Sequence, residues 1–301
     1  MTQKLTPSTV LLLLVPPLMW AGNAVVGRAV YHMVPPLTLN FLRWALAALL
    51  LLPMGYSIFR RGSGLWTNWR RYALLGLLGV GLYNSLQYLA LHTSSPLNVT
   101  LVAASMPVWM LLIGRIFYGA AIHRTQIFGS VLSLVGVLII LAQGQWSQLR
   151  TLHFVAGDLL MIAATIFFAF YSWQLTLAND SQAIRRSWAT LLLAQVVYGV
   201  VWSGAFAAVE WGVVGWDIDW GWGLGLALVF VAVGPAVIAF RCWGIGVQRV
   251  GPTTAGFFVN LTPLFAALLS LLMLGDRPRL YHAFAFGLIV FGIVLSGRNR
   301  G

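Results

Sequence analysis

The sequence predicts an all-α integral membrane protein of ten transmembrane helices, arranged as two inverted five-helix repeats around a central cavity. Three observations carry that expectation. Of the 301 residues 60% are hydrophobic and only 8% charged, and the mean hydropathy is +0.86, whereas a soluble chain carries about a quarter charged residues. The shortage of charge runs the whole length and leaves no stretch for a separate soluble domain. The apolar residues fall into runs of roughly 20, the length that crosses a bilayer as a helix. Finally, Pro96, Pro107, Gly119 and Gly136 recur as Pro252, Pro263, Gly275 and Gly292, each 156 positions later. The apolar blocks around them repeat too, as in an internally duplicated chain.

The elements follow in order. A first span over 9–28 is preceded by Lys4; it lacks a small-residue cleavage site and is read as a helix, not a signal peptide. Pro35-Pro36 opens a second span over 37–57, and Arg60-Arg61-Gly62-Ser63-Gly64 breaks the chain before a third over 72–91. The fourth, 97–118, is opened by Pro96 and interrupted by Pro107; the fifth covers 126–143. The second set is placed at 154–175, 187–209, 222–243, 253–274 and 281–297, with Pro263 interrupting the ninth and Asp276-Arg277-Pro278 preceding the tenth. The copies are read as residues 1–148 and 149–301.

Positively charged short loops stay on the cytoplasmic side. With the amino terminus inside, inner segments collect Arg60, Arg61, Arg70, Arg71, Arg115, Arg124, Arg185 and Arg186 among others, against Arg28, Arg150, Arg277 and Arg279 outside. Both termini are therefore expected in the cytoplasm. Five spans per copy is an odd number, so the second copy must lie upside down relative to the first. Two inverted halves around a midplane site can open it to either face in turn, which makes a transporter the leading expectation. The net charge of +12 does not indicate nucleic acid, because the basic residues are scattered over short loops rather than gathered on one patch. One cysteine, Cys242, excludes an intrachain disulfide.

Polar groups at membrane depth are costly and usually face a cavity or another helix. The third span places Tyr83, Asn84, Gln87 and Tyr88 in one wedge at helical spacing. Trp109 stands one turn below Ser105 in the fourth, Trp20 and Asn23 are three apart in the first, and Tyr171 and Trp173 cluster in the sixth. Trp20, Asn23, Tyr83, Asn84, Gln87, Trp109, Tyr171 and Trp173 are the candidate substrate-binding residues. Pro107 and Pro263 remove an amide hydrogen and each free the carbonyl four residues earlier; both a hinge and a fixed bend are open readings. Gly234-Pro235 and Pro16-Pro17 add two more weak points.

The order and spacing of several motifs resemble the EamA type of the drug/metabolite transporter superfamily. They are Trp20-Ala21-Gly22-Asn23, Phe41-Leu42-Arg43, Ala104-Ser105-Met106-Pro107, then Gly119, Gln126, Gly129 and Gly136, echoed by Asn260-Leu261-Thr262-Pro263, Gly275 and Gly292. Within that family the chain is most similar to bacterial YddG-type amino-acid exporters. The resemblance implies ten helices in a five-plus-five inverted arrangement, export by alternating access, and a place in the bacterial inner membrane. Where the family often has Glu after the glycine ending the fourth helix, this chain has Ala120 and, in the second copy, Asp276; no role is assigned there. Arg43, the most deeply embedded charge, either holds a substrate carboxylate or pins the second helix. The peripheral place implied for second helices favours the structural role.

The aromatic and neutral lining suits a small zwitterionic or neutral solute with an apolar side chain, such as an aromatic or other hydrophobic amino acid. Other small metabolites or drugs of the superfamily's range form the alternative. No buried acid marks a proton relay, so movement down the solute's own gradient is expected. A polytopic enzyme would need a reactive set, and no His-Glu-x-x-His pair, Asp-rich motif or Gly-x-Ser-x-Gly turn occurs. No cofactor or metal is expected. A channel would need a continuous selective pore. The expected partners are the solute and the lipid bilayer, with a monomer as the working unit.

Overall fold

A computed structural model describes residues 5–94, 96–145, 147, 153–274 and 279–297. The boundary set at 148/149, and Gly275, Asp276, Arg277 and Pro278, lie outside the described residues. Eleven long helical segments account for most of what is described: α1 Pro7–Ala29, α2 Pro36–Gly55, α3 Trp69–Thr93, α4 Pro96–Ala103, α5 Met106–Tyr118, α6 Arg124–Leu141, α7 Ala156–Gln174, α8 Trp188–Val214, α9 Trp222–Val259, α10 Thr262–Leu274 and α11 Leu280–Gly297.

Among the described residues nine runs are long and apolar enough to cross a membrane, against ten expected. The difference lies in α9, a run of 38 residues. Gly251 there has φ 76° and ψ 161°, a backbone open to glycine and not to helix. Pro252 then restarts the helix, so α9 contains two segments in different directions, and the second continues past a turn at Asn260-Leu261 into α10.

Local chemistry explains the helix ends. Thr6 accepts from the Thr9 amide and Pro7 opens α1, a position where its missing N–H is harmless. Despite Pro16 and Pro17, α1 continues unbroken to Ala29. His123 and Gln126 close a capping box on α6, and Ser187 and Thr190 one on α8. Gly119 ends α5 at φ 64°, ψ 17°, in the left-handed conformation that suits a C-terminal glycine. At Pro107 and Pro263 there is no bent continuous helix. The chain stops at Ala104-Ser105 and at Asn260-Leu261 and restarts, with each proline second in the new helix.

The duplication is visible in space. Helices α2 and α8 run antiparallel: Gly55 faces Ala189 and Leu193, Gly204 faces Phe41, and Thr38 meets Glu210. Helices α6 and α11 do the same. A Cβ on Gly129 would stand 2.7 Å from the Gly292 carbonyl oxygen, and one on Gly136 2.9 Å from that of Ala285. Shifted by the repeat distance, Gly129 becomes Ala285 and Gly136 becomes Gly292, so these are one contact seen from each copy, as a two-fold relation requires. Helix α1 packs on α9 and α10, and reciprocally α7 packs on α3, α4 and α5. Each unit thus lends its first helix to the other. Both third spans contain a π-helical stretch, Gly76–Leu82 in α3 and Ala232–Ile238 in α9, again at the repeat distance. Such turns often mark functional regions.

Candidate functional site

Where α1, α2, α3, α7 and α9 converge, the space between the units is filled by aromatic side chains. Trp20 stands edge-on to Phe168, ring centroids 5.5 Å apart, and 5.4 Å from Trp243. Tyr83 lies 4.5 Å from Phe168, and Tyr171 5.5 Å from Phe168 and 5.8 Å from Phe240. Trp44 meets Phe240 edge-on at 4.9 Å. Trp20, Tyr83 and Tyr171 are all buried. Gly79, in the π-helical stretch of α3, allows the Tyr171 ring to approach within 2.7 Å of where a Cβ would be.

A polar cluster adjoins this cage. Arg43 is fully buried, and one of its terminal nitrogens, Nη1, donates to Asn23 Oδ1 at 3.2 Å, Asn84 Oδ1 at 3.0 Å and Tyr88 Oη at 3.1 Å. Tyr88 Oη in turn donates to Asn23 Oδ1 at 2.9 Å. The cluster and cage share helix turns: Asn23 is one turn from Trp20, Asn84 follows Tyr83, and Arg43 precedes Trp44. The hydrogen-bond partners of Arg43 among the described residues are side chains of α1 and α3, not backbone carbonyls.

Two recesses approach from opposite ends of the bundle. At the end bearing Arg71, a small recess of about 40 Å³ is lined by Tyr171, Gln195, Phe240 and Gln248. Tyr171 donates to Gln195 Oε1 at 2.9 Å there. At the end bearing Arg28, a wider recess of about 690 Å³ is bordered by Tyr31, His32, Leu89, His92, Glu210 and Asp217.

The eight candidate residues divide. Asn23 and Asn84 are joined through Arg43 Nη1, which donates to both side-chain oxygens, and Trp20, Tyr83 and Tyr171 share the cage. Gln87 is half-buried on the same helix as Tyr83. Trp109 donates to Ser105 Oγ at 3.0 Å within its own broken helix. Trp173 donates to the Met110 carbonyl at 2.9 Å, stacks on Tyr118 at 5.1 Å and covers Gly114, a contact joining α7 to α5. Gly234 and Pro235 lie in the π-helical stretch of α9, where Gly234 allows close approach of Met19. Sequence reasoning did not single out Phe168, Phe240, Trp44 or Trp243 for the site, because in uniformly apolar helices nothing distinguishes a cage ring from a packing ring.

Inverted, interlocked helical repeats enclosing a buried polar and aromatic centre define a polytopic helical membrane protein of the kind that builds secondary transporters. The chain belongs to the EamA-like transporter family, whose model matches residues 7–142 and again 155–298. It is 26% identical over 297 residues to an uncharacterized transporter of Archaeoglobus fulgidus, covering 96% of each chain. It is 24% identical over 269 residues to the aromatic amino acid exporter YddG of Ancylobacter novellus, covering 87% of this chain and 88% of that one. A solved crystal structure superposes with a TM-score of 0.72 at 22% identity over 96% of both chains, a likeness of fold.

Proposed function

We propose that this transporter exports amino acids with aromatic or other hydrophobic side chains, by alternating access across the bacterial inner membrane with both termini in the cytoplasm. The observation that carries the reading is the aromatic cage formed by Trp20, Tyr83 and Tyr171 with Phe168, Phe240 and Trp243 at the junction of the inverted units. Rings offset or edge-on at 4.5–7 Å attract one another beyond their buried area, and a planar side chain inserted among them would replace those contacts with equivalent ones. The neighbouring polar cluster supplies hydrogen bonds to the main-chain end of such a solute. The likeness to an aromatic amino acid exporter supports the same class.

The small recess reaches the cage at Tyr171 and Phe240, and the wider one, bordered by Leu89 and Leu160, enters between α3 and α7 from the other end. In this reading the aromatic plug is a closed state between two openings, and rocking of one unit against the other exposes it to one face at a time. No carboxylate of the described residues hydrogen-bonds a cage side chain, which supports movement of the solute down its own gradient. The test is flux of labelled tryptophan, phenylalanine and leucine in proteoliposomes. Saturable uptake accelerated by unlabelled solute on the opposite side, without a pH gradient, is the expected result; non-saturating conductance or an absolute need for a pH gradient would overturn it.

A further inference from the structure

Arg43 is a buried cation with an unused edge. Its place within the apolar span of α2 is costly. None of the described carboxylates neutralises it. Asp180 pairs with Arg71 and Arg185, Glu210 binds the start of α2, Asp158 binds Ser94 and Asn98, and Asp217 and Asp219 are exposed. Its three hydrogen-bond acceptors all crowd on Nη1, while Nε and Nη2 are buried without a hydrogen-bond partner among the described residues.

Those two nitrogens form one edge of the guanidinium, the fork that grips both oxygens of a carboxylate with parallel hydrogen bonds. The indole nitrogens of Trp20 and Trp44 in the adjoining cage are likewise buried donors without acceptors among the described residues. The region therefore holds a surplus of N–H groups, each costly to leave unmatched. Hydrogen bonding that pins α2 uses Nη1 alone, and the contact of the guanidinium with the Trp44 ring at 5.3 Å supplies no acceptor for the Nε–Nη2 edge.

We infer that the Nε–Nη2 edge of Arg43 is the carboxylate anchor of the transported solute, with the side chain directed into the aromatic cage. The inference deepens the amino-acid reading and rests on it for the identity of the solute. It turns a helix-pinning residue into a specificity-determining one: solutes with a carboxylate bind, and their amides and decarboxylated amines do not.

The experiment measures binding to purified wild-type protein of L-tryptophan, L-tryptophanamide, tryptamine and 3-indolepropionate, with Arg43→Lys and Arg43→Gln in parallel and thermal melting as a fold control. The expected result is tryptophan binding with at least about tenfold discrimination against the amide and amine, the effect of losing one charged hydrogen-bond pair. Arg43→Lys, which keeps charge but loses the fork, should weaken tryptophan at least about tenfold while still giving a cooperative melting transition. Equal binding of tryptophan and its amide by the wild type overturns the anchor and leaves amino-acid transport standing. Binding of indolepropionate but not tryptophan overturns the amino-acid reading and leaves the anchor standing. Binding of none of the four overturns both. Should the variants fail to fold, the wild-type ligand pairs decide the matter alone.

Discussion

At the scale of single residues, a buried polar group of one unit can answer a backbone need of the other, and Glu210 is the clearest example. It accepts from the Leu37 amide at 3.0 Å, the Thr38 amide at 2.8 Å and the Thr38 hydroxyl at 2.8 Å. Helix α2 begins after Pro35 with no side-chain cap of its own. Its free amides and positive dipole end are therefore met by a carboxylate from α8, in the other unit. Glu210→Ala should cost about 1–2 kcal/mol, read as a lowered melting temperature in detergent, whereas Glu210→Gln should retain part of the stability. An unchanged melting temperature for the alanine variant would remove this cross-unit cap from the account. Neither this role nor the Arg43 cluster was fully legible in the sequence. Asn23 and Asn84 stood out as polar residues in apolar spans, but their common partner on α2 depends on three helices meeting. A one-dimensional pattern cannot report that.

At the scale of elements, glycine sets how closely helices approach, and broken helices set where the bundle yields. The α6–α11 contact brings backbones together at Gly129, Gly136 and Gly292, the small-residue mode of packing that replaces hydrophobic driving force inside a bilayer. A side chain at Gly129 or Gly292 would collide with a carbonyl oxygen at 2.7 Å, backbone that cannot swing aside. Gly129→Val and Gly292→Val should each destabilise by about 1–3 kcal/mol. Gly287→Val, at an open position of the same helix, should melt like wild type, and thermal scans of the three separate a packing role from a general intolerance of α11. Prolines 107 and 263 were legible as interruptions. That they start new helices was not, because the choice between a bend and a restart depends on the turn before them. The π-helical stretch of α3 carries no proline and was invisible to sequence rules, although its partner in α9 holds Pro235.

At the scale of the whole molecule, the units are tied at the Arg71 end by an ion pair. Arg71 Nε of α3 donates to Asp180 Oδ1 at 2.6 Å, and Nη2 reaches the Leu177 carbonyl at 3.0 Å. Asp180 lies in the segment between α7 and α8, so the pair links the first unit to the second and stands on the side of the small recess. If the units rock, this contact must break each time that end opens. Asp180→Asn should shift the population toward opening there and speed maleimide labelling of a cysteine placed at Gln195 several-fold, in a Cys242→Ser background. Equal labelling with and without the substitution would show that the pair is not a gate. The sequence by itself determined the solvent and the duplication, because hydropathy and repeated motifs are properties of the chain read in order, while its ten expected spans meet nine long apolar runs among the described residues. Only the tertiary structure decided which aromatic residues form the cage, that Arg43 keeps a free edge beside it, and that each unit's first helix packs on the other. Those facts depend on directions of side chains from helices far apart in the chain, which periodicity within any one helix does not specify.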